Sequence, residues 1–533
     1  MRARYVLAAL LAVQWLAVLL LALTVRHNGW LYYAGGDQLW HYSGAYLLAH
    51  GDLPPSFVGY GWSILLLPAA WVAGPNLVAA LPAIVLFNTV VLLPLALLCI
   101  YGIAARIAGR LFGYLAATVW IALPYLGILF VESGYHQKYT ELTLPQLVGL
   151  TSVPDFPATV ALLLAAYLCL RAADGPGWHA PVGAGLACGY SLAMKPSNAI
   201  FLVAPVLFLL GSRCRWSALP LFAAGLAPAL LTLALWKFRG LGQLAAAPVE
   251  QVQLAAGPGD LYRRVVNPEL NSWAHLRQVL DGLREHFWVA RVLEWLPVAG
   301  GVALLIRSAR SFLLIATWFA AFVLTKGTYI PASIEDASFF RLMMPAFPAF
   351  VLLTTATVLL VPGLRIRPDR QAFVAPVRRL TLAVAAAALV FVVMPLSIIA
   401  ATPPLHDQGS KAVREAASLV PVSAHVQPHL STVGKTVRLD WAPAPVRGTA
   451  VFYRLLRAEG SGAGTACAGT PRNAADDCRL SMDPVGATNG TTYLDRPGSG
   501  EWTYRVGVSA NWLNNPAYGD VYVVSPPVSV KVP

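Results

Sequence analysis

The sequence predicts an all-α, polytopic membrane domain with about eleven transmembrane helices, followed by a small all-β sandwich domain. Three observations lead to this prediction: 57% of the 533 residues are hydrophobic, only 12% are charged, and long apolar runs recur up to about residue 401. Soluble domains usually carry about twice this charged fraction. Because runs of this length can cross a bilayer, lipid is the expected solvent for most of the chain.

The predicted spans are apolar runs separated by charged or turn-forming segments. They lie near residues 5–25, 77–101, 112–131, 156–170, 181–194, 198–211, 216–235, 288–306, 311–325, 343–361 and 379–401. The first run is longer than the roughly 7–15 residues of a signal-peptide core, so it is interpreted as a retained span. The short fifth and sixth runs predict a helical hairpin broken at Lys195-Pro196, since proline disrupts a helix interior.

The formal net charge of +13 is interpreted first as a topology signal. If the N-terminus lies in the cytoplasm, every predicted cytoplasmic segment holds a basic residue close to the end of a span, and the odd number of spans leaves the C-terminus outside. No RNA- or DNA-binding signature accompanies the charge, so nucleic acid is not an expected partner.

Two of the predicted outside loops are long, at residues 26–76 and 236–287. Each contains an amphipathic stretch, from Asp37 to His50 and from Asn271 to Phe287. We expect both stretches to lie along the membrane surface, although solvated loop helices are an alternative. Long loops in a compact protein are more often functional than idle.

The character of the chain changes after a predicted linker at residues 402–419. Strand-like runs with alternating polarity, separated by turn clusters, predict a domain over residues 420–533 that resembles a fibronectin type III domain. Trp441 fits the core tryptophan of such a sandwich, and Tyr504 fits its tyrosine corner. Cys467 and Cys478 lie together in this polar region and form the predicted disulfide, which requires an oxidising compartment.

Two aspartates at the predicted outer membrane face are candidate catalytic residues. Asp37 follows two glycines where a helix is expected to begin, and Asp155 lies between two prolines at the mouth of the fourth span. Either residue fits a helix cap, a position that aspartate favours. Asp37 also fits a base that takes a proton from an acceptor hydroxyl, and a carboxylate at a span mouth such as Asp155 fits a functional site.

Three cations are candidate ligands for a phosphate group. Lys195 interrupts an apolar stretch, where an ionisable residue usually faces a cavity or a partner, although snorkelling to the interface is an equal alternative. Lys326 and Arg341 flank a predicted outside loop, against the usual inside bias. Arginine suits phosphate because it forms bidentate hydrogen bonds; the alternative for Arg341 is an ion pair with Glu335 or Asp336.

In their order and sidedness these features resemble the GT-C superfamily, specifically the protein O-mannosyltransferase and lipid A aminoarabinose transferase group. The similar features are one span, an acid in a long outside loop, Gly-Asp-Leu-Pro, Gly-Tyr-Gly-Trp-Ser, Pro-Asp-Phe-Pro, a Lys-Pro break, a large outside loop and Arg-Leu-Met-Met-Pro-Ala-Phe-Pro. The resemblance covers roughly residues 1–401.

The resemblance implies transfer of a sugar, with inversion, from a polyprenyl-phosphate donor to an extracytoplasmic glycan, lipid or protein, in a bacterial-type inner membrane. Asp37 matches the catalytic base of the first loop, although Gln38 follows it where the group commonly has glutamate. Asp155 matches a second acid, and Lys195 matches, more weakly, a lysine at a helix break. Arg341 matches an arginine that is a candidate for binding the carrier phosphate.

Further candidates for binding the acceptor or the sugar lie in the outside loops, namely His41, Tyr60, Glu132 and His136. A divalent cation, Mg²⁺ or Mn²⁺, is compatible with the resemblance, but no ligand spacing in the sequence indicates one. The competing hypotheses are a lipid-linked-sugar transporter or flippase and a non-catalytic cell-envelope scaffold. A transporter fold tends to show internal repeats with paired broken helices, whereas this sequence has one Lys-Pro break without a counterpart.

Overall fold

The structure of the chain is a computed structural model. It describes residues 3–24, 36–54, 58–74, 77–132, 150–175, 177–212, 215–241, 270–287, 291–332, 334, 338–364, 366–370, 377–403, 425–445, 452–461, 482–488, 490–509 and 523–533. Cys467 and Cys478 lie outside these residues, so the predicted disulfide between them stays a prediction.

Most of the described chain up to residue 403 is helical. The α-helices are α1 (Ala3–Thr24), α2 (Gly36–Ala49), α3 (Tyr60–Ala73), α4 (Leu77–Phe87), α5 (Leu93–Ala108), α6 (Arg110–Ile128), α7 (Asp155–Ala172), α8 (His179–Met194), α9 (Val203–Leu210), α10 (Arg215–Leu241), α11 (Trp273–Gly282), α12 (Val292–Arg307), α13 (Ala309–Gly327), α14 (Ser338–Met343), α15 (Phe347–Ala356), α16 (Val377–Ala388) and α17 (Met394–Ala401).

Several of these helices are long and apolar enough to cross a bilayer. Seven described segments meet this criterion by length and composition, or eight if the bent pair Trp273–Phe287 and Val292–Arg307 forms one span. Shorter apolar helices cover Arg4–Leu20, Tyr60–Ala73 and Pro196–Leu210. The predicted multi-pass helical membrane protein is therefore confirmed, whereas the number of eleven spans stays a prediction.

The chain divides into two compact units, and the predicted boundaries of the membrane domain, the linker and the C-terminal domain stay predictions. The first comprises residues 1–25, 56–64 and 85–402, and the second comprises residues 26–55, 65–84 and 403–533. The first unit is helical and contains most of the candidate spans. The second contains α2, parts of α3 and α4, and the C-terminal strands.

In the first unit, the backbones of α8 and α10 are in direct contact because each helix has a glycine at the point where they meet. A Cβ atom on Gly185 would lie 2.1 Å from the carbonyl oxygen of Phe222. A Cβ atom on Gly225 would lie 2.2 Å from the carbonyl oxygen of Val182. Larger residues would force the helices apart, which is the usual reason for small residues between membrane helices.

The predicted break at Lys195-Pro196 is present. Helix α8 ends at Met194, Lys195 is extended with φ −137° and ψ 94°, and a 3₁₀ helix follows over Pro196–Leu202. The proline ring disfavours the helical conformation for the residue before it, which is consistent with the extended Lys195. Lys195 therefore has an extended backbone directly after the buried helix α8.

Both predicted amphipathic stretches form helices. Asp37 to His50 corresponds to α2, which begins at Gly36. Asn271 to Phe287 corresponds to α11 and a π-helical turn over Leu283–Phe287. The Ser272 side chain caps α11 by accepting a hydrogen bond from Ala274 N.

The C-terminal region is all-β, as predicted. Its strands are β1 (His429–Val433), β2 (Thr436–Asp440), β3 (Phe452–Glu459), β4 (Asp483–Thr488), β5 (Thr492–Asp495), β6 (Gly500–Ser509), β7 (Val523–Val524) and β8 (Val528–Val532). One antiparallel sheet has the order β1-β2-β5, and the other has the order β4-β3-β6-β7, with β8 also paired to β6.

Alternating residues of both sheets form the core of this region, as the period of a strand requires. Val437, Leu439, Tyr504 and Val506 are all fully buried. Trp441 directly follows β2 and is buried, with its ring edge-on to Tyr453 at 5.3 Å. Trp441 is therefore an interior residue of this region, whereas its assignment to a fibronectin type III-like core stays a prediction.

Asp495 ties the two sheets together. From the opposite sheet, Tyr504 Oη donates to Asp495 Oδ2 at 2.7 Å, and Arg457 Nη1 donates to the same oxygen at 2.8 Å. Burial, and secondly the neighbouring carboxylate, raise the pKa of Tyr504 well above its usual range. Its hydroxyl therefore stays protonated and keeps donating at alkaline pH, where an ordinary tyrosine side chain would ionise.

We predict that Tyr504→Phe loosens this region selectively. A hydrogen bond to a charged group contributes about 1.5–3 kcal/mol. Loss of this contribution should speed amide hydrogen exchange in β5 and β6 by roughly tenfold or more, as measured by mass spectrometry on the full chain.

Tyr493→Phe is the matched control, because its hydroxyl donates to an uncharged acceptor, Val485 O, at 3.0 Å. Its effect on exchange should be smaller. Equal exchange rates in the two variants would show that the Tyr504–Asp495 contact does not hold the sheets together.

Candidate functional site

Three of the predicted site residues meet in one ion-pair cluster. Asp155, the first residue of α7, is fully buried. Lys195 Nζ donates to Asp155 Oδ1, and Arg341 Nε donates to Asp155 Oδ2 at 3.1 Å. We call these three residues the Asp155 cluster. Glu335 and Asp336, the alternative partners predicted for Arg341, lie outside the described residues.

The segment before Asp155 is held by two side chains from other helices. Trp62 Nε1 on α3 donates to the carbonyl oxygen of Ser152 at 2.8 Å. Asn88 Nδ2 donates to the carbonyl oxygen of Thr151 at 3.2 Å. Asn88 begins a π-helical turn between α4 and α5, and such turns are frequent at functional sites. These bonds place the start of α7, and with it the Asp155 carboxylate.

Lys195 is placed by a hydrogen-bonded chain across the break after α8. Asn198 Nδ2 donates to Ser191 Oγ at 2.9 Å, and Ser191 Oγ donates to the carbonyl oxygen of Ala158 at 2.9 Å. Lys195 N also donates to Ser191 O at 2.8 Å. The 3₁₀ segment after Lys195 is thus tied to the first turns of α7, close to Asp155.

The Gly-Tyr-Gly-Trp-Ser motif packs directly against the residues before Lys195. A Cβ atom on Gly59 would lie 2.0 Å from the carbonyl oxygen of Ala193. A Cβ atom on Gly61 would lie 2.8 Å from Met194 N, and Tyr190 Oη donates to Gly61 O at 2.6 Å. Only glycine allows this approach, so the motif brings Trp62 to the Asp155 segment and supports the end of α8.

Arg341 lies on α14, whose neighbouring residues line an apolar cavity. The cavity has a volume of about 140 Å³ and is bordered by α6, α11, α12, α13, α14 and α15. Phe339, Phe340 and Met343 belong to its wall, and Phe340 contacts Phe287 with ring centroids 4.5 Å apart. One short helix therefore carries both the arginine of the cluster and part of the apolar wall.

The accessible part of the Asp155 cluster is cationic. Two positive charges share one negative charge, and the Asp155 side chain has no exposed surface, whereas Lys195 and Arg341 keep 13% and 17%. A buried charge without a partner would cost several kcal/mol. The carboxylate therefore keeps both cations in place, and an approaching anion would meet the cations rather than the acid.

The candidate residues of the first predicted outside loop lie on α2 and α3. Asp37 lies in the first turn of α2, where a helix start was predicted, but its side chain is outside the described part of the chain, as is His136. His41 is buried on α2. Tyr60 is the first residue of α3 and is buried, with its ring 6.3 Å from Trp236.

Glu132 pairs with a residue that the sequence analysis did not identify. His286 Nδ1 lies 2.7 Å from Glu132 Oε2, and Glu132 N donates to His286 O at 2.8 Å. Lys326 Nζ lies 5.5 Å above the ring of Tyr329, at the end of α13. Glu132 and Lys326 are thus engaged with neighbours at the ends of α6 and α13.

Sequence reasoning missed the supporting residues Trp62, Asn88, Ser191 and Asn198, and also His286. Trp62 lies within a motif that was noted, and Asn198 lies three positions after Lys195, so polarity within apolar runs was the available signal. Among the described residues, no group of three or more His, Cys, Asp and Glu side chains is arranged to hold a metal ion. The divalent cation stays a prediction.

Sequence comparison finds no matching family model and no matching curated protein. Among solved structures, the oligosaccharyltransferase of Archaeoglobus fulgidus is similar with a TM-score of 0.39 and 12% identity, over 76% of this chain and 57% of that chain. ArnT from Cupriavidus metallidurans bound to undecaprenyl phosphate is similar with a TM-score of 0.42 and 13% identity, over 74% of this chain and 71% of that chain. Similarities this low identify no family, so function is inferred from the site itself.

Proposed function

We propose that this chain is a membrane glycosyltransferase that moves a sugar from a polyprenyl-phosphate donor to an extracytoplasmic acceptor, with inversion at the anomeric carbon. The observation that carries the proposal is the Asp155 cluster, in which a buried acid holds two partly exposed cations, one of them on the short helix α14 that also forms part of the wall of an apolar cavity. A lipid phosphate has the complementary chemistry, since it joins a compact anion to a long hydrocarbon chain.

In this proposal the carrier phosphate binds Arg341 and Lys195. Arginine offers a planar fork for two phosphate oxygens, and lysine adds a point charge. The first isoprene units of the carrier occupy the cavity beside Phe339 and Phe340. The cavity is lined mainly by leucine, phenylalanine and methionine side chains, which favour burial of hydrocarbon.

Asp155 is proposed to position the cations. The residue was predicted to be catalytic, but both carboxylate oxygens accept hydrogen bonds from cations, and the side chain has no exposed surface. These contacts favour a role through Lys195 and Arg341. The acid also keeps the site assembled before the donor arrives, so binding need not order two long side chains.

The proposed reaction is a single displacement. The acceptor hydroxyl oxygen attacks the anomeric carbon, the bond from that carbon to the phosphate oxygen breaks, and Asp37 receives the hydroxyl proton. The electron pair of the broken bond stays on the carrier phosphate, whose negative charge Lys195 and Arg341 stabilise. The identity of the sugar does not enter this step.

We propose that acceptor or sugar recognition involves His41, Tyr60, Glu132 and His136, and that Lys326 is a further contact to the donor phosphate. His286 joins this set through its contact with Glu132.

We further propose that the C-terminal region is a fibronectin type III-like domain. The supporting observations are two antiparallel sheets with crossed strand order and a buried Trp441.

We predict that Arg341→Gln weakens donor binding far more than folding. Glutamine retains an N–H donor for Asp155 but removes the charge. A charge-assisted hydrogen bond contributes about 1.5–3 kcal/mol, so the donor Kd should rise by roughly tenfold or more. Donor binding is measured with a fluorescent polyprenyl-phosphate sugar, and Arg341→Lys should recover part of the loss.

Arg277→Gln is the control for Arg341→Gln, because it removes an exposed arginine from α11. It should leave the donor Kd unchanged. An unchanged donor Kd in folded Arg341→Gln would remove the phosphate-binding role of this residue and, with it, the main support for the proposed donor site.

We predict that Trp62→Phe raises the donor KM without a matching loss of kcat. The change removes the N–H that donates to Ser152 O and leaves a buried carbonyl unpaired, at a cost of about 1–3 kcal/mol. The segment before Asp155 should loosen, so the two cations should bind phosphate less well. Initial rates at varied donor concentration measure both parameters.

Tyr453→Phe serves as the control for Trp62→Phe. It also loses one hydrogen bond of a buried ring, from Ala444 N at 2.8 Å, but in the β region. Similar changes in donor KM for both variants would indicate general destabilisation and would contradict the positioning role of Trp62.

We predict that Asp37→Asn lowers kcat by about 10²–10⁴ while donor binding is preserved. Asparagine is about as good at a helix start as aspartate, so α2 should persist. Turnover is measured with saturating radiolabelled donor. Near-normal turnover would show that Asp37 only caps the start of α2. Translocation of the lipid-linked sugar by the wild type without cleavage of the sugar–phosphate bond would favour a flippase.

A further inference from the structure

One end of the first unit carries a concentration of exposed arginines. Three ion pairs define this end by joining the α5–α6 turn, the end of α7 and residues 366–370. Arg106 pairs with Asp174, Arg370 Nε lies 3.8 Å from Asp174 Oδ1, and Arg110 Nε lies 2.6 Å from Asp369 Oδ2.

Further arginines reach the same end through contacts of other helices. At the α12–α13 turn, Arg307 Nε donates to the carbonyl oxygen of Leu359, which lies shortly before residues 366–370 in the chain. His179 Nε2, at the start of α8, lies 2.6 Å from Thr381 Oγ1 near the start of α16. The set of exposed arginines, here called the arginine face, is Arg110, Arg307, Arg310, Arg367, Arg370, Arg378 and Arg379.

The backbone of the arginine face is fixed where residues 366–370 dock on the α5–α6 turn. Asp369 N donates to the carbonyl oxygen of Ala105 at 2.9 Å. Gly109 has φ +108°, and a Cβ atom on it would lie 2.5 Å from the carbonyl oxygen of Arg367. A side chain at position 109 would therefore push residues 366–370 away from the α5–α6 turn. The glycine allows close docking, which fixes the backbone positions of Arg367 and Arg370 relative to Arg110.

Acidic residues do not balance this charge. Within the described segments of this end the acids are Asp174 and Asp369, and both already take part in ion pairs. Exposed tryptophans accompany the arginines, since Trp178 is 44% exposed and Trp216, at the start of α10, is 83% exposed. Exposed tryptophans at the ends of spans lie at the depth of lipid headgroups.

We propose that the arginine face binds the phosphate groups of anionic phospholipids in the adjacent leaflet. Arginine forks match phosphate oxygens, and clusters of basic residues at the ends of spans attract anionic headgroups. The tryptophans favour a membrane surface over a soluble acidic partner. This inference does not depend on the proposed glycosyl transfer.

The test compares lipid retention by the full chain in mixed micelles, using phosphatidylglycerol and phosphatidylcholine with identical acyl chains. Native mass spectrometry gives the association constant for each lipid. The wild type should prefer phosphatidylglycerol, and the preference should decline with added salt because exposed charges are screened. One arginine near an anionic surface is worth roughly fivefold, so Arg367→Gln with Arg370→Gln should reduce the ratio at least tenfold.

The control is Arg277→Gln with Arg291→Gln, which removes two exposed arginines away from the arginine face. Arg291 precedes α12, whose opposite end carries Arg307. This control should keep the wild-type ratio, and Arg367→Lys with Arg370→Lys should keep most of it. An unchanged ratio of phosphatidylglycerol to phosphatidylcholine binding in the folded glutamine pair would overturn the proposal.

Discussion

The burial of Asp155 is the constraint on which the candidate site depends. A carboxylate without access to water needs compensating charge, and here Lys195 and Arg341 supply it from two other parts of the chain. The starts of α7 and α14 and the end of α8 must therefore meet. Removing Asp155 would leave two neighbouring cations without a compensating charge inside an apolar helix assembly, so electrostatics and helix packing are coupled at this point.

Burying a polar group in an apolar assembly costs free energy unless the group is hydrogen-bonded. Several buried polar side chains lie near the Asp155 cluster, and they form such hydrogen bonds. Trp62, Asn88 and Asn198 each hold a backbone or side-chain group close to one of the three charged residues. They combine with glycines that permit close helix contact, so a small region is ordered by both hydrogen bonds and shape. Such order suits a site that must hold a phosphate without first rearranging.

We propose two anion-binding sites in the first unit, and their chemistries differ. The Asp155 cluster contains an internal acid and shares helix α14 with the wall of an apolar cavity, which suits one lipid phosphate held in a defined pose. The arginine face lacks an excess of acids and lies among exposed tryptophans, which suits many headgroups at a surface. If both proposals hold, the Asp155 cluster binds the phosphate of a lipid substrate, and the arginine face binds the phosphates of the surrounding membrane lipids.

The sequence by itself determined the membrane class, most helices, the break at Lys195-Pro196 and most strands. These features depend on local physics, namely apolar length, proline sterics and residue alternation. It also singled out Asp155, Lys195 and Arg341. Only the tertiary structure decided that Arg341 pairs with Asp155, 186 positions away, because an ion pair depends on distance in space. The same reason explains why Trp62, Asn88 and His286 were missed: their partners are distant backbone or side-chain groups that no local pattern reveals.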